Sequence, residues 1–154
     1  MIIKTKYFGE VDLDEEKVIT FEQGIMGFEE CKKYTILYDV DEGDQATISW
    51  FQSLEEPGLA LPVISPLLVK ADYNPTVEDE VLKPLGEITE ENLVILLTLT
   101  VPEDLTKMSA NLKAPFVINT DTRKGCQIIV ENPDYAIKYN VYNAISKLKK
   151  EKGE

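Results

Sequence analysis

Eight short extended runs, at residues 2–5, 17–21, 34–40, 47–52, 59–64, 93–100, 116–120 and 127–131, are the feature that most limits what this chain can fold into. Most are rich in β-branched or aromatic residues, which suit a pleated, half-buried surface. Turn formers separate them: Gly24, Gly27, Gly43, Pro57-Gly58, Pro66, Pro102 and Pro133. Only two stretches carry helical spacing. One is 77–85, where Val77, Val81, Leu82 and Leu85 share a face and Thr76 is placed to cap it. The other lies in the last turns, with Val141, Tyr142, Ile145 and Leu148 in register and lysines at its C-terminal end. Many strands and about two short helices predict a mainly β fold, a small antiparallel barrel-like or sandwich domain. No repeat or linker divides residues 1–154, so one domain is expected, with 140–154 a peripheral helix or frayed tail.

The segment Asn111-Leu112-Lys113-Ala114-Pro115-Phe116-Val117-Ile118-Asn119 sets a tight loop against a strand entry. Pro115 fixes its own φ and drives Ala114 toward extended geometry, so no helix runs through. Asn111 and Asn119 bracket the strand, each able to hydrogen-bond nearby backbone. Any buried strand with a tight entrance reads this way, so the segment carries no function by itself.

Composition removes most catalytic classes. There is no histidine, which excludes Ser-His and Cys-His catalysis and His-ligated metals. Cys31 and Cys126 fit no metal or redox spacing. Cys126 follows Lys124-Gly125, which favours a thiolate, but a small buried hydrophobe is the better reading. Asp39-Val40-Asp41-Glu42-Gly43-Asp44 resembles a calcium loop with its glycine one position early and Trp50 in place of the bidentate acid, so it reads as an acidic hairpin turn. Gly24-Ile25-Met26-Gly27 is flanked by Glu22 and Glu29, which repel a phosphate backbone. No metal or cofactor is expected. The N-terminus has no apolar signal core and the longest aliphatic run is 93–97, which predicts a cytoplasmic protein with no membrane span.

Charge points toward a partner. The net charge is −12, and one arginine stands among fifteen lysines, which speaks against direct nucleic-acid binding. Residues 41–110 hold 14 acids against three lysines, net −11; residues 111–154 carry five acids against eight cations, net +3. Such asymmetry is either plain solubility or a negative face that steers a basic partner. Its densest clusters are Asp39, Asp41, Glu42 and Asp44; then Glu55 and Glu56; then Glu78, Asp79 and Glu80.

Five segments together resemble a known family. They are Met1-Ile2-Ile3-Lys4-Thr5-Lys6-Tyr7-Phe8-Gly9-Glu10-Val11, Ile19-Thr20-Phe21-Glu22-Gln23-Gly24-Ile25-Met26-Gly27-Phe28-Glu29 and Phe51-Gln52-Ser53-Leu54-Glu55-Glu56-Pro57-Gly58-Leu59-Ala60. The Asn111–Asn119 segment and Gly125-Cys126-Gln127-Ile128-Ile129 complete the set. In order and spacing, from residue 1 to about 139, they resemble the FliW family of flagellar assembly factors. Met26 stands where that family usually has Pro, and Leu61 where Phe is common. The resemblance implies a small cytoplasmic β-barrel-like protein without catalysis that binds newly made flagellin. It further implies binding of the translational repressor CsrA, with flagellin and CsrA trading places. Gly24, Gly27, Phe28, Gln52, Ser53, Asn111, Pro115 and Asn119 are then structural motif residues, and the acidic clusters are the candidate partner-binding face. The competing class is a small acidic β-barrel that binds a ligand or runs carboxylate chemistry around a pocket.

Overall fold

The computed structural model describes residues 1–38 and 48–151. Its strands are β1 (Ile2–Lys4), β2 (Glu10–Asp12), β3 (Ile19–Phe21), β4 (Lys33–Leu37), β5 (Ile48–Ser53), β6 (Ala60–Ile64), β7 (Leu93–Thr100), β8 (Ser109–Ala110), β9 (Phe116–Asn119), β10 (Lys124–Gln127) and β11 (Tyr139–Asn140). The helices are α1 (Asp79–Leu82) and α2 (Tyr142–Glu151). The fold is mainly β, with a barrel closed by seven strands.

Hydrogen bonding runs β3-β4-β5-β6-β7-β9-β10 and returns from β10 to β3, so the ring has no free edge. An odd ring cannot be antiparallel throughout, because direction must come back to itself after a full circuit. The one parallel contact falls where β10 meets β3, with Lys124 opposite Thr20 and Gly125 opposite Phe21. The barrel expected from the sequence is present, antiparallel at every pairing of the ring except this seam. Pro62 sits within β6 and has no N–H to give, and the β6–β7 ladder stops at Val63. Strands β1 and β2 form a separate hairpin.

The interior is aromatic. Phe51 of β5 and Phe116 of β9 lie on strands that are not neighbours in the ring, yet their centroids are 4.8 Å apart, so they meet through its inside. Phe21 contacts both at 5.2 and 5.4 Å, and Tyr34 stacks on Phe51 at 4.5 Å. All four rings are fully buried. Gly125 makes this possible: a Cβ there would overlap the Phe21 ring and sit 3.0 Å from Ile118. Strand β9 is buried on both faces, with Phe116 and Ile118 inside and Val117 outside against Leu85, Ile128 and Val130. A third cluster seats α2, where Val141 and Ile145 pack on Leu97, Leu99 and Leu112.

Several sequence expectations shift. The 127–131 run is not a strand of the ring, which uses Lys124–Gln127 instead. Residues 128–130 continue it as extended chain, Ile128 N–H donating to Pro115 O at 3.1 Å and Val130 N–H to Lys113 O at 2.9 Å. The 77–85 helix is a single turn, Asp79–Leu82, followed by a 3-10 turn at Lys83–Leu85 that accommodates Pro84. Thr76 does not cap it: Glu78 holds that position without a side-chain bond, and Thr76 N–H donates to Asn132 Oδ1 at 2.6 Å. Val81 also leaves the predicted buried face and stands exposed.

Candidate partner-binding surface

The motif residues hold the barrel's loops. Gln52 is buried with every polar atom used: its amide donates to Ser53 O, Pro57 O and Leu59 O at 2.9–3.2 Å, and its oxygen accepts Lys6 N–H at 3.0 Å. One side chain thus ties the β5–β6 turn to the N-terminal hairpin. Ser53 Oγ accepts the Glu55 and Glu56 N–H groups at 3.1 and 3.0 Å. Asn119, with no exposed surface, donates to Leu85 O and Glu87 O and accepts from the Asp121 and Thr122 N–H groups. It joins the α1–β7 connection to the β9–β10 turn.

Asn111 organises a bulge. Leu99 pairs with Ala110 and Leu96 with Phe116, so three steps along β7 match six along its partner. Asn111 Oδ1 collects Lys113 N–H and Ala114 N–H at 3.0 and 3.1 Å within the extra length, and Pro115 ends it. The Gly24–Phe28 turn is built on positive φ at Gly24 (67°) and Gly27 (89°). It tucks Ile25 into the barrel and leaves Met26 and Phe28 outside, 51% and 43% exposed. Gln127 fastens the turn, accepting Met26 N–H at 2.7 Å while donating to Ala114 O at 3.2 Å. Three distant sequence motifs therefore meet on Gln127, a role that sequence reading missed although the residue lies inside a quoted motif.

The acidic clusters separate in space and in use. Asp39, Asp41, Glu42 and Asp44 lie outside the described residues. Glu55 is committed internally, its Oε1 accepting the Lys32 and Lys33 N–H groups. Glu56 Oε1 accepts Gly58 N–H at 3.3 Å. Glu78, Asp79 and Glu80 are exposed around the start of α1 and form no ion pair among the described residues. Beside them a cleft of about 210 Å³ opens between Glu22-Gln23, Val81-Pro84-Leu85 and Lys124–Gln127.

A second cleft of about 450 Å³ at the barrel mouth is lined by Ile19, Ile36, Val94 and Ile118, with Arg123 at its rim donating to Glu15 O at 3.3 Å. Glu16, Lys17, Thr35, Tyr38 and Thr120 share the lining with these apolar side chains. No group of three or more His, Cys, Asp or Glu is placed to hold a metal among the described residues. Burial pushes the Cys126 thiol up, so the neighbouring Lys124 does not make it a reactive thiolate. Burial likewise raises the Tyr34 and Tyr73 phenols well above their usual range. Every fully buried side-chain nitrogen and oxygen among the described residues has a partner. The interior polar groups are spent on architecture, and the groups left over face solvent.

The FliW protein family matches residues 2–141 of this sequence. The chain belongs to the FliW family. A flagellar assembly factor FliW from Lachnoclostridium phytofermentans is 57% identical over 155 residues, spanning 100% of this chain and 99% of the relative. Another from Lachnospira eligens is 47% identical, covering 96% and 98% respectively. A crystal structure of the flagellar assembly factor FliW superposes with a TM-score of 0.83 at 32% identity, covering 92% of this chain and 96% of that one. The family match stops as α2 begins, whereas the Lachnoclostridium phytofermentans relative aligns along the whole chain, α2 included. No helix among the described residues is long and apolar enough to cross a membrane.

Proposed function

We propose that this protein is a non-catalytic binding regulator of flagellum assembly that binds flagellin and sequesters a CsrA-type RNA-binding repressor, coupling flagellin synthesis to its use. Family membership supports the setting. The observation that carries the reading is the exposed Glu78-Asp79-Glu80 cluster, whose carboxylates have no ion-pair partner among the described residues while the interior polar groups are fully used. A protein that holds RNA must present a basic surface, and this cluster is its electrostatic complement. Exposed charges mainly speed encounter, and salt screens them beyond a Debye length of about 8 Å at physiological ionic strength.

The test is association and dissociation kinetics at two salt concentrations for the wild type and for Glu78, Asp79 and Glu80 replaced together by Ser. The on-rate for CsrA falls with salt and with the substitution, more than the off-rate rises. Flagellin, met through an apolar helical surface, responds less. A salt-independent CsrA on-rate, unchanged in the variant, leaves the cluster as a solubility feature only.

A further inference from the structure

We infer that the cleft between α1, β10 and Glu22-Gln23, beside the Gly24–Phe28 turn, is a docking groove for an amphipathic helix with an apolar stripe flanked by lysines or arginines. The inference rests on the partner-binding reading above and adds where the partner sits and what chemistry it presents.

The groove is apolar where a helix would press and acidic where it would overhang. Val81 and Phe28 are 43% exposed and Met26 51%, although each belongs to a segment that also supplies a buried side chain, Leu85 or Ile25. The Val81 face of α1 is turned away from the Leu85–Val117–Ile128 cluster that seats the helix. The Met26 backbone adjoins the same cleft, its N–H donating to Gln127, which lines the cleft with Val81. Val81 exposed on the cleft wall, with Met26 and Phe28 exposed on the adjoining turn, marks a surface that gains from being covered. At about 210 Å³ the cleft has room for a large side chain and is far too small to swallow a helix, so the partner lies across it and inserts a knob.

Charge selects among apolar stripes. Glu22 lines the cleft, Glu78, Asp79 and Glu80 directly precede its Val81, and Glu29 and Glu30 follow the turn, six exposed acids against the one exposed Lys83 on the same helical segment. The one cation lining the cleft, Lys124, stands 3.6 Å from Glu22 and is already opposed. An acidic-flanked helix is repelled there and a basic-flanked one attracted.

The experiment titrates the full chain with a synthetic helical peptide bearing a leucine stripe and lysine flanks, read by backbone amide NMR, with a glutamate-flanked twin as control. Saturable shifts centred on residues 22–27, 80–82 and 125–127, absent for the twin and reduced about tenfold or more in affinity by Val81→Glu or Met26→Glu, support the groove. Both positions are exposed, so unchanged urea midpoints show that the variants fold. Shifts centred elsewhere, or wild-type affinity in both variants, overturn it. The same variants tested with purified CsrA and flagellin separate the two claims. Partners that bind wild type and variants equally sink the groove and spare the function, whereas partners that ignore the wild type sink the function while the peptide still decides the groove.

Discussion

Asn119→Ala should be among the most damaging single polar substitutions in this molecule. The side chain has no exposed surface and makes four hydrogen bonds, two donated at 2.9 and 3.1 Å and two accepted at 2.9 and 3.2 Å. Their loss is unequal. Leu85 O still accepts the Thr122 hydroxyl at 2.8 Å, and Glu87 O still accepts the Asn92 amide at 2.8 Å, so neither carbonyl is orphaned. The Asp121 and Thr122 N–H groups belong to exposed turn residues that water can reach. At about 0.5–1.5 kcal/mol net for each bond, with partial rescue of the partners, the loss is about 2–3 kcal/mol. With a urea m-value of about 1–3 kcal/mol/M the midpoint falls by roughly 1–2 M. Asn119→Asp distinguishes bonding from space. The carboxylate keeps the two accepted bonds but faces the Leu85 and Glu87 carbonyls, which raises its folded pKa above that of the unfolded chain. The variant's contribution is then most favourable at pH below the unfolded value, about 3.9, and is lost as pH rises through the folded one. A wild-type urea midpoint for Asn119→Ala, or a pH-independent Asn119→Asp penalty, would refute the hydrogen-bond account.

Other expectations follow from the same geometry. Gly27→Val should cost on the order of 1–3 kcal/mol from positive φ, since open space surrounds its Cβ position. Gly24→Ala should cost more than Gly27→Ala, because its Cβ would also lie 2.5 Å from Glu29 O; equal urea midpoints would show the clash is relieved by the turn. Asn111→Ala, which frees two backbone N–H groups, should lose roughly 1–2 kcal/mol in chemical denaturation, and loss of partner binding at unchanged stability would move the residue to an interface instead. Cys126, its pKa raised by burial, should react with a disulfide reagent far more slowly in the folded protein than in urea, faster as pH climbs; equal rates would contradict its packing.

Strand β7 was legible because Leu93–Thr100 is an unbroken run of eight apolar and β-branched residues, whose Leu96, Leu97 and Leu99 are buried. Strand β10 was misplaced because Lys124-Gly125 resembles a turn, whereas Gly125 is in the strand to make room for Phe21 on the neighbouring β3. That requirement is written in Phe21, not in the neighbours of Gly125. Strands β8 and β11 are two residues each and exist only because β7 runs on past the barrel to receive them. The acids could be counted in the sequence, but not sorted: nothing near Glu55 foretells that its carboxylate accepts from Lys32 and Lys33, about two dozen positions upstream. Val81 fitted the helical face on spacing, yet the helix ends after one turn and the residue points to water.

The parallel seam has a consequence for synthesis. Strand β3 ends at Phe21, but its second neighbour is not made until Lys124. Until then a nascent chain carries β3 with one side unpaired, and β9 likewise waits for β10. Such raw edges are templates for pairing with other chains. Contacts spanning about a hundred residues are also among the slowest to form, because loop closure must precede their reward. The interior aromatics share that delay, since Gly125 completes the wall against which Phe21 rests. A ribosome-bound or truncated chain ending before Lys124 is therefore an open sheet rather than a smaller barrel, and its vulnerability to proteases and to aggregation ends only when Lys124–Gln127 has emerged to close the seam.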